Sequence, residues 1–389
     1  MRQTRLDHNL FDIIWPAMKK AKKERKIDED INAGIVAPDF DVFVVFQEFL
    51  VPVIKDIHCI DVNSDFHPHP DMQYFPPPKS NLPHSARMEI ASTPSATSED
   101  ATSTINVNLD KSGRMITEAI IECSRNLEDF ELPLNLNTGQ LEQVERIVTA
   151  KLLTTDFARI LGEKDVGVYY TMNEVLESPS EIRTVLAANG LLIPLLNNND
   201  PYQAAESLAI NGAHWPYGRG VFVSNRNDLV AWVNCQEHLR VLCCTDAQQP
   251  AQISAAYVKM GKIMRYLHER IQFRYSYFLG YLAARPSFLG TSLRLTLTLE
   301  LPHLLNEKEN LRHLCTVRGL NMITHENASC IRVCNMQGMG ITEWQIFHDF
   351  CMAIANILQL EKDLSMENSK HIATMLVNIF RKKKNSLIE

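Results

Sequence analysis

The chain has 389 residues, 45% hydrophobic and 22% charged, enough for two domains and a large core in an ordinary globular protein. Its formal net charge of -7 offers no overall attraction for nucleic acid or an anionic membrane, and no run approaches the roughly 18 apolar residues of a membrane span. The opening MRQTRLDHNLFDII lacks a continuous apolar run, so no secretory leader is expected; nine scattered cysteines without a CxxC pair point to reduced thiols in a cytoplasmic setting.

Residues 10–26 read as a helix ending in a basic run, Lys19, Lys20, Lys22, Lys23, Arg25 and Lys26, whose plainest role is a solvated face. Over residues 40–57, Phe43, Phe46, Phe49 and Leu50 recur at helical spacing and predict a second, core-facing helix. Residues 1–66 thus form a small, mainly helical amino-terminal domain. Residues 67–108 are rich in Pro, Ser and Thr and poor in aliphatics, the composition of a linker that cannot bury enough apolar surface to order itself. His67-Pro68-His69 lies there without a second ligand pair, so no metal site is expected.

From 109 to 364 the pattern is α+β. Residues 221–223 and 229–234 flank Asn225-Arg226-Asn227-Asp228 as a hairpin, and 238–244 supply a further strand. Residues 292–301 alternate strictly: Leu293, Leu295, Leu297 and Leu299 face one way, Arg294, Thr296, Thr298 and Glu300 the other. That is a half-buried strand with a polar face available for a site. Thr342 and Gln345 have capping-box spacing ahead of a helix with Phe347, Phe350, Ile354, Ile357 and Leu358 on one side. A large antiparallel sheet backed by helices fits this order. Residues 365–389 add a basic helical extension, with Ile372, Met375, Leu376 and Ile379 on one face before Arg381–Lys384. It suits either a partner groove or its own domain.

Several segments resemble the phosphagen (ATP:guanidino) kinases, of which arginine and creatine kinases are familiar members. They are His214-Trp215-Pro216-Tyr217-Gly218-Arg219-Gly220, Trp232-Val233-Asn234-Cys235-Gln236-Glu237-His238-Leu239-Arg240, Arg285-Pro286-Ser287-Phe288-Leu289-Gly290-Thr291-Ser292-Leu293-Arg294, Val317-Arg318-Gly319 and Met339-Gly340-Ile341-Thr342-Glu343. Nearer the front, Gly34–Asp39 and Lys55–His58 are similar to two further family motifs. The resemblance implies a small α-helical domain followed by an eight-stranded antiparallel sheet flanked by helices.

It also implies a site for moving the γ-phosphoryl of MgATP onto a guanidinium, a task of positioning and charge neutralisation. Of the family's five phosphate-binding arginines, Arg240 and Arg294 match, as remnants of the nucleotide phosphate site or, equally, as structural ion-pair partners. Asn321, Ile120 and Glu122 stand where the other three belong. Gln236 replaces the carboxylate that orients the substrate and accepts its proton, which an amide cannot do. Glu326 is the candidate for the second carboxylate, with a solvated loop residue as its competing reading. Arg285 replaces the reactive cysteine and adds a like charge beside an incoming guanidinium. Val36 and Val223 replace a substrate-loop tyrosine and a nucleotide-contacting histidine, and Arg219 reads as structural.

With no intact catalytic set, the resemblance implies a catalytically inactive protein serving as a structural or interaction module. No bound cofactor is expected, and protein partners are, with a cytoskeletal or flagellar assembly the natural setting by family analogy. The alternatives are an active guanidino kinase using MgATP with atypical residues, and a nucleotide-sensing regulator.

Overall fold

The computed structural model describes residues 2–19, 35–61, 107–195, 211–323 and 329–365. Helices α1 (Leu10–Lys19), α2 (Val42–Val45) and α3 (Gln47–Ile57) form the amino-terminal part. The single helix expected over 40–57 is broken at Phe46, whose φ of -111° ends α2 and opens α3. The break keeps Phe43, Phe46 and Leu50 inside but leaves Phe49 37% exposed, so Phe49 is not a core position. These helices share their core with Leu279, Leu289 and Met339 of the larger part. Most of the basic run, all of the linker except Val107 and Asn108, and residues 366–389 lie outside the described residues.

The larger part is built on strands β1 (Ile116–Arg125), β2 (Val168–Thr171), β3 (Gly220–Val223), β4 (Leu229–Cys235), β5 (Glu237–Cys244), β8 (Leu293–Leu299), β9 (Leu320–Ile323) and β10 (Ile331–Asn335); β6 (Tyr275–Ser276) and β7 (Gly280–Tyr281) make a separate small ribbon. The eight-stranded sheet runs β2-β3-β4-β5-β1-β8-β10-β9, antiparallel at every pairing. The predicted hairpin, the strand after it and the alternating strand all appear, with Leu293, Leu295, Leu297 and Leu299 fully inside. Such period-two alternation fixes which face of each strand meets the core.

One face is fully covered. Helices α4 (Thr138–Leu152), α5 (Thr155–Leu161), α6 (Met172–Leu176), α7 (Glu181–Ala188), α8 (Ile253–His268), α9 (Lys308–Val317) and α10 (Glu343–Ser365) flank the sheet. Val144 of α4, Met260 of α8 and Ile354 of α10 pack with Ala119, Ile121 and Cys123 of β1. Helix α4 starts on a reciprocal Asn137–Gln140 capping box, and Thr342 Oγ1 accepts the Gln345 backbone N–H at 3.2 Å ahead of α10. On the opposite face, α6, α7 and Leu191–Ile193 cover a smaller patch that includes Ile120, Val221, Val223, Val230, Trp232 and Leu242. Beyond that cover, the polar residues of β1, β5 and β8 are brought together.

Candidate functional site

The pleat of β1 sends Glu118, Ile120, Glu122 and Ser124 to this second face. Pairing sets Ser124 opposite Arg240 of β5 and Glu122 opposite Arg294 of β8. Arg240 is 2% exposed, and its Nε donates to Glu122 Oε1 at 2.9 Å. Arg285, just ahead of the turn Pro286–Phe288, donates from Nη2 to the same oxygen at 3.1 Å and to Ser124 Oγ at 3.2 Å. Glu122 is therefore a counter-ion shared by two buried guanidiniums. An unpaired buried charge is costly, so each member depends on the others.

The β4–β5 turn carries the replaced carboxylate. Asn234 and Gln236 both adopt left-handed backbone, at φ 56° and 67°. Asn234 tolerates this because its Nδ2 holds the carbonyls of Leu141 at 3.0 Å and Gly218 at 2.7 Å. Gln236 sits half-buried at the tip, and its Oε1 accepts weakly from Arg240 Nη1 at 3.5 Å. The next residue, Glu237, is completely buried: it accepts from Asn126 Nδ2 at 2.6 Å and from the Ala284 N–H at 3.0 Å, with Arg285 Nε 3.6 Å away.

Arg294 stands apart. Its Nη2 donates to Ser287 Oγ at 3.0 Å and its guanidinium lies 4.1 Å from the Phe288 ring centroid. Among the described residues no carboxylate lies within ion-pair distance of it. Arg219 serves the backbone, as expected: Nε donates to Asn234 O at 2.8 Å, Nη1 to Tyr217 O at 2.8 Å and His214 O at 3.3 Å, and Nη2 to Asn211 O.

The structure thus brings Gln236, Arg240, Arg294, Glu122 and Arg285 together. Glu326 lies outside the described residues. Asn321 is on β9, paired with Cys334, with Met322 rather than its own side chain in the core. Val36 and Val223 are both buried apolar residues. Arg285, expected as a like charge beside an incoming guanidinium, is itself flanked by Glu122 and Glu237. A second acid–base pair had not been singled out. Glu118 accepts from Thr298 Oγ1 at 2.9 Å and from Arg332 Nη2 at 3.4 Å, on the same face. The even-numbered spacing of Glu118, Glu122 and Ser124, which puts them on one face of a strand, is its sequence signal.

The cavity enclosed here measures about 120 Å³ and is lined by Glu122, Arg240, Arg294, Thr296, Ile193 and Arg332. Ligand pockets typically reach ~300–1,000 Å³. A cleft of about 620 Å³ lies elsewhere, by Thr117, Cys244, Asp246 and Lys259, and none of Gln236, Arg240 and Arg294 lines it. Among the described residues no group of three or more His, Cys, Asp or Glu is placed to hold a metal ion. His67 and His69 are outside that set. No helix there is long and apolar enough to cross a membrane, and all nine cysteines are free thiols.

Residues 148–364 match the ATP:guanido phosphotransferase C-terminal catalytic domain. An arginine kinase of Penaeus vannamei is 24% identical over 370 residues, spanning 93% of this chain and 88% of that protein. A taurocyamine kinase of Schistosoma mansoni is 26% identical over 332 residues, spanning 83% of this chain and 38% of that protein. Among solved structures, the duplicated taurocyamine kinase from Schistosoma mansoni with bound transition state analog components matches with a TM-score of 0.70 at 20% identity. The match covers 94% of this chain and 45% of that one. A lombricine kinase matches with a TM-score of 0.66 at 19% identity, covering 94% and 88%. These likenesses agree with the antiparallel sheet and its flanking helices.

Proposed function

The chain belongs to the ATP:guanido phosphotransferase family, and from that premise we propose that it has given up phosphoryl transfer and works as a binding or structural module. One observation carries the reading: Glu122 Oε1 lies 2.9 Å from Arg240 Nε and 3.1 Å from Arg285 Nη2. A triphosphate seated against Arg240 would have to break this pairing and then face a buried carboxylate. At an effective dielectric of about 20, like charges about 4 Å apart repel by roughly 4 kcal/mol. Gln236 supplies no proton acceptor, and without one the attacking guanidinium nitrogen keeps its proton. The residues present therefore do not fit MgATP as a substrate to be turned over. A protein partner is the ligand such a module would serve, and a cytoskeletal or flagellar structure is the setting we would test first, by co-sedimentation with microtubules and actin filaments.

The test of the central reading is a coupled ADP-release assay with arginine, creatine and taurocyamine. No signal above the enzyme-free control is expected; turnover that scales with protein concentration would sink the reading. Arg294, with no carboxylate within ion-pair distance among the described residues, favours one secondary reading, an anion or nucleotide bound without turnover. An ATP-dependent rise in melting temperature, absent from Arg294→Ala, would be its signature.

A further inference from the structure

The surroundings of Arg285 have the makeup of a guanidinium-binding site. The side chain is 2% exposed. Nη2 meets Glu122 Oε1 at 3.1 Å and Ser124 Oγ at 3.2 Å, Nε lies 3.6 Å from Glu237 Oε1, and the guanidinium carbon is 3.7 Å from the Phe288 ring centroid. Two carboxylates, a hydroxyl and an aromatic face are what a planar, delocalised cation selects; an ammonium group lacks the rigid planar fork to reach both acids and the flat face to lie against the ring.

Every acid in this group comes from a different segment. Glu122 is on β1, Glu237 opens β5, and Arg285 reaches both from the loop after β7. The Ala284 N–H, one residue before Arg285, donates to Glu237 at 3.0 Å and holds that loop to the carboxylate. The guanidinium is thus delivered by a short anchored segment, as a tethered ligand would be.

We infer that Arg285 is the resident ligand of a guanidinium site, a side chain of the protein itself filling the acid-lined pocket and keeping external guanidino compounds out. The exclusion of outside ligands rests on the reading that the pocket no longer turns over. The presence of the site does not.

The experiment removes the tethered ligand and returns it in solution. Arg285→Ala in the full-length chain leaves two buried acids without it, and its melting temperature should fall by about 5 °C. Methylguanidinium chloride at about 10 mM should then recover part of the loss, with no gain for the unaltered chain. Methylammonium chloride at equal concentration should recover none. Equal recovery by both cations, or none in an Arg285→Ala chain shown folded by circular dichroism, overturns the proposal. Arg285→Lys keeps the charge and loses the fork and the stacking; it should melt below the unaltered chain, and an equal melting temperature overturns the proposal even where Arg285→Ala does not fold. ADP release by the unaltered chain would refute the loss of phosphoryl transfer and would leave these melting data to decide the role of Arg285.

Discussion

Arg219 and Arg240 are equally buried, 1% and 2% exposed, and flank the same β4–β5 turn, yet their partners differ in kind. Arg219 donates to four backbone carbonyls that close the approach to β3 and the turn. Arg240 donates to a carboxylate on the neighbouring strand. A cation whose partners are backbone is set by the fold itself. A cation whose partner in the family would be a ligand has none once that ligand is lost, and burial then demands a substitute. On the reading proposed above, Glu122 is that substitute. The same contrast separates the scaffold motifs around Arg219, which read clearly, from the face of β1, β5 and β8, which holds side-chain pairs, Glu122 with Arg240 and Arg285, and Glu118 with Arg332.

The largest expected effect tests the scaffold side. Arg219→Ala strands several buried carbonyls at once and should cost on the order of 5 kcal/mol in urea unfolding. A loss under ~1 kcal/mol would end the distinction between the two arginines. Glu122→Gln comes next. Breaking a buried pair by removing one partner costs roughly 3–5 kcal/mol, and we expect a loss of about 4 kcal/mol. The same change removes the carboxylate charge facing Arg240, so ATP affinity by equilibrium dialysis should tighten by about tenfold, equivalent to ~1.4 kcal/mol. Tightening in Arg219→Ala instead would invert the assignment.

A pH titration sharpens the comparison further, because two buried histidines, His58 and His238, and the half-buried His268 also answer to N–H donors. His58 Nδ1 accepts from the Gly338 N–H at 3.0 Å, His238 Nδ1 from the Leu127 N–H at 3.0 Å, and His268 Nε2 from Arg125 Nε at 3.1 Å. Protonating any of them destroys that bond. Burial pushes His58 down to about 4, and His238 and His268 to about 3. Between those values and 6.5 the unfolded chain binds protons that the folded chain refuses, so stability rises with pH across this window and is lost as pH falls through it. His58 alone should account for roughly 3 kcal/mol between pH 6.5 and 4. Burial raises Glu343 to about 7, which works the other way: from pH 4.5 to 7 it takes stability away. The three histidines outweigh it below pH 6.5. Urea midpoints that stay flat from pH 6.5 to 4 would contradict the neutral state of these rings.

Local encoding decided what was legible in the sequence. The alternation over Leu293–Leu299, the hairpin at 225–228 and the cap at Thr342 are written in neighbouring residues, and each appears where expected. The break at Phe46 was not legible, because spacing alone gave one continuous apolar face and the tertiary core chose another. At the site, the types of residue were readable but their pairing was not. Glu122 was visible as a wrong charge for a phosphate and Arg285 as a wrong charge for a guanidinium. That the two errors cancel depends on a contact between residues 163 apart in the chain. Strand order, which no single segment encodes, makes that contact.

The smallest expected effect bears on the turn that separates the two arginines. Gln236→Glu restores a carboxylate at a half-buried tip, 3.5 Å from Arg240 Nη1. An exposed or half-exposed ion pair is worth ~0–1 kcal/mol, so stability should change by about 0.5 kcal/mol at most. The new acid can accept a proton, yet Glu122 still holds Arg240 and Arg285 still fills the neighbouring acids, so ADP release should stay at background. Measurable turnover in this single variant would place the whole deficit in one missing base and would show that the paired cations open readily to a nucleotide. Background activity in Gln236→Glu, followed by ATP binding only when Glu122→Gln is added, would put the block where the geometry has it: in the acid between the arginines.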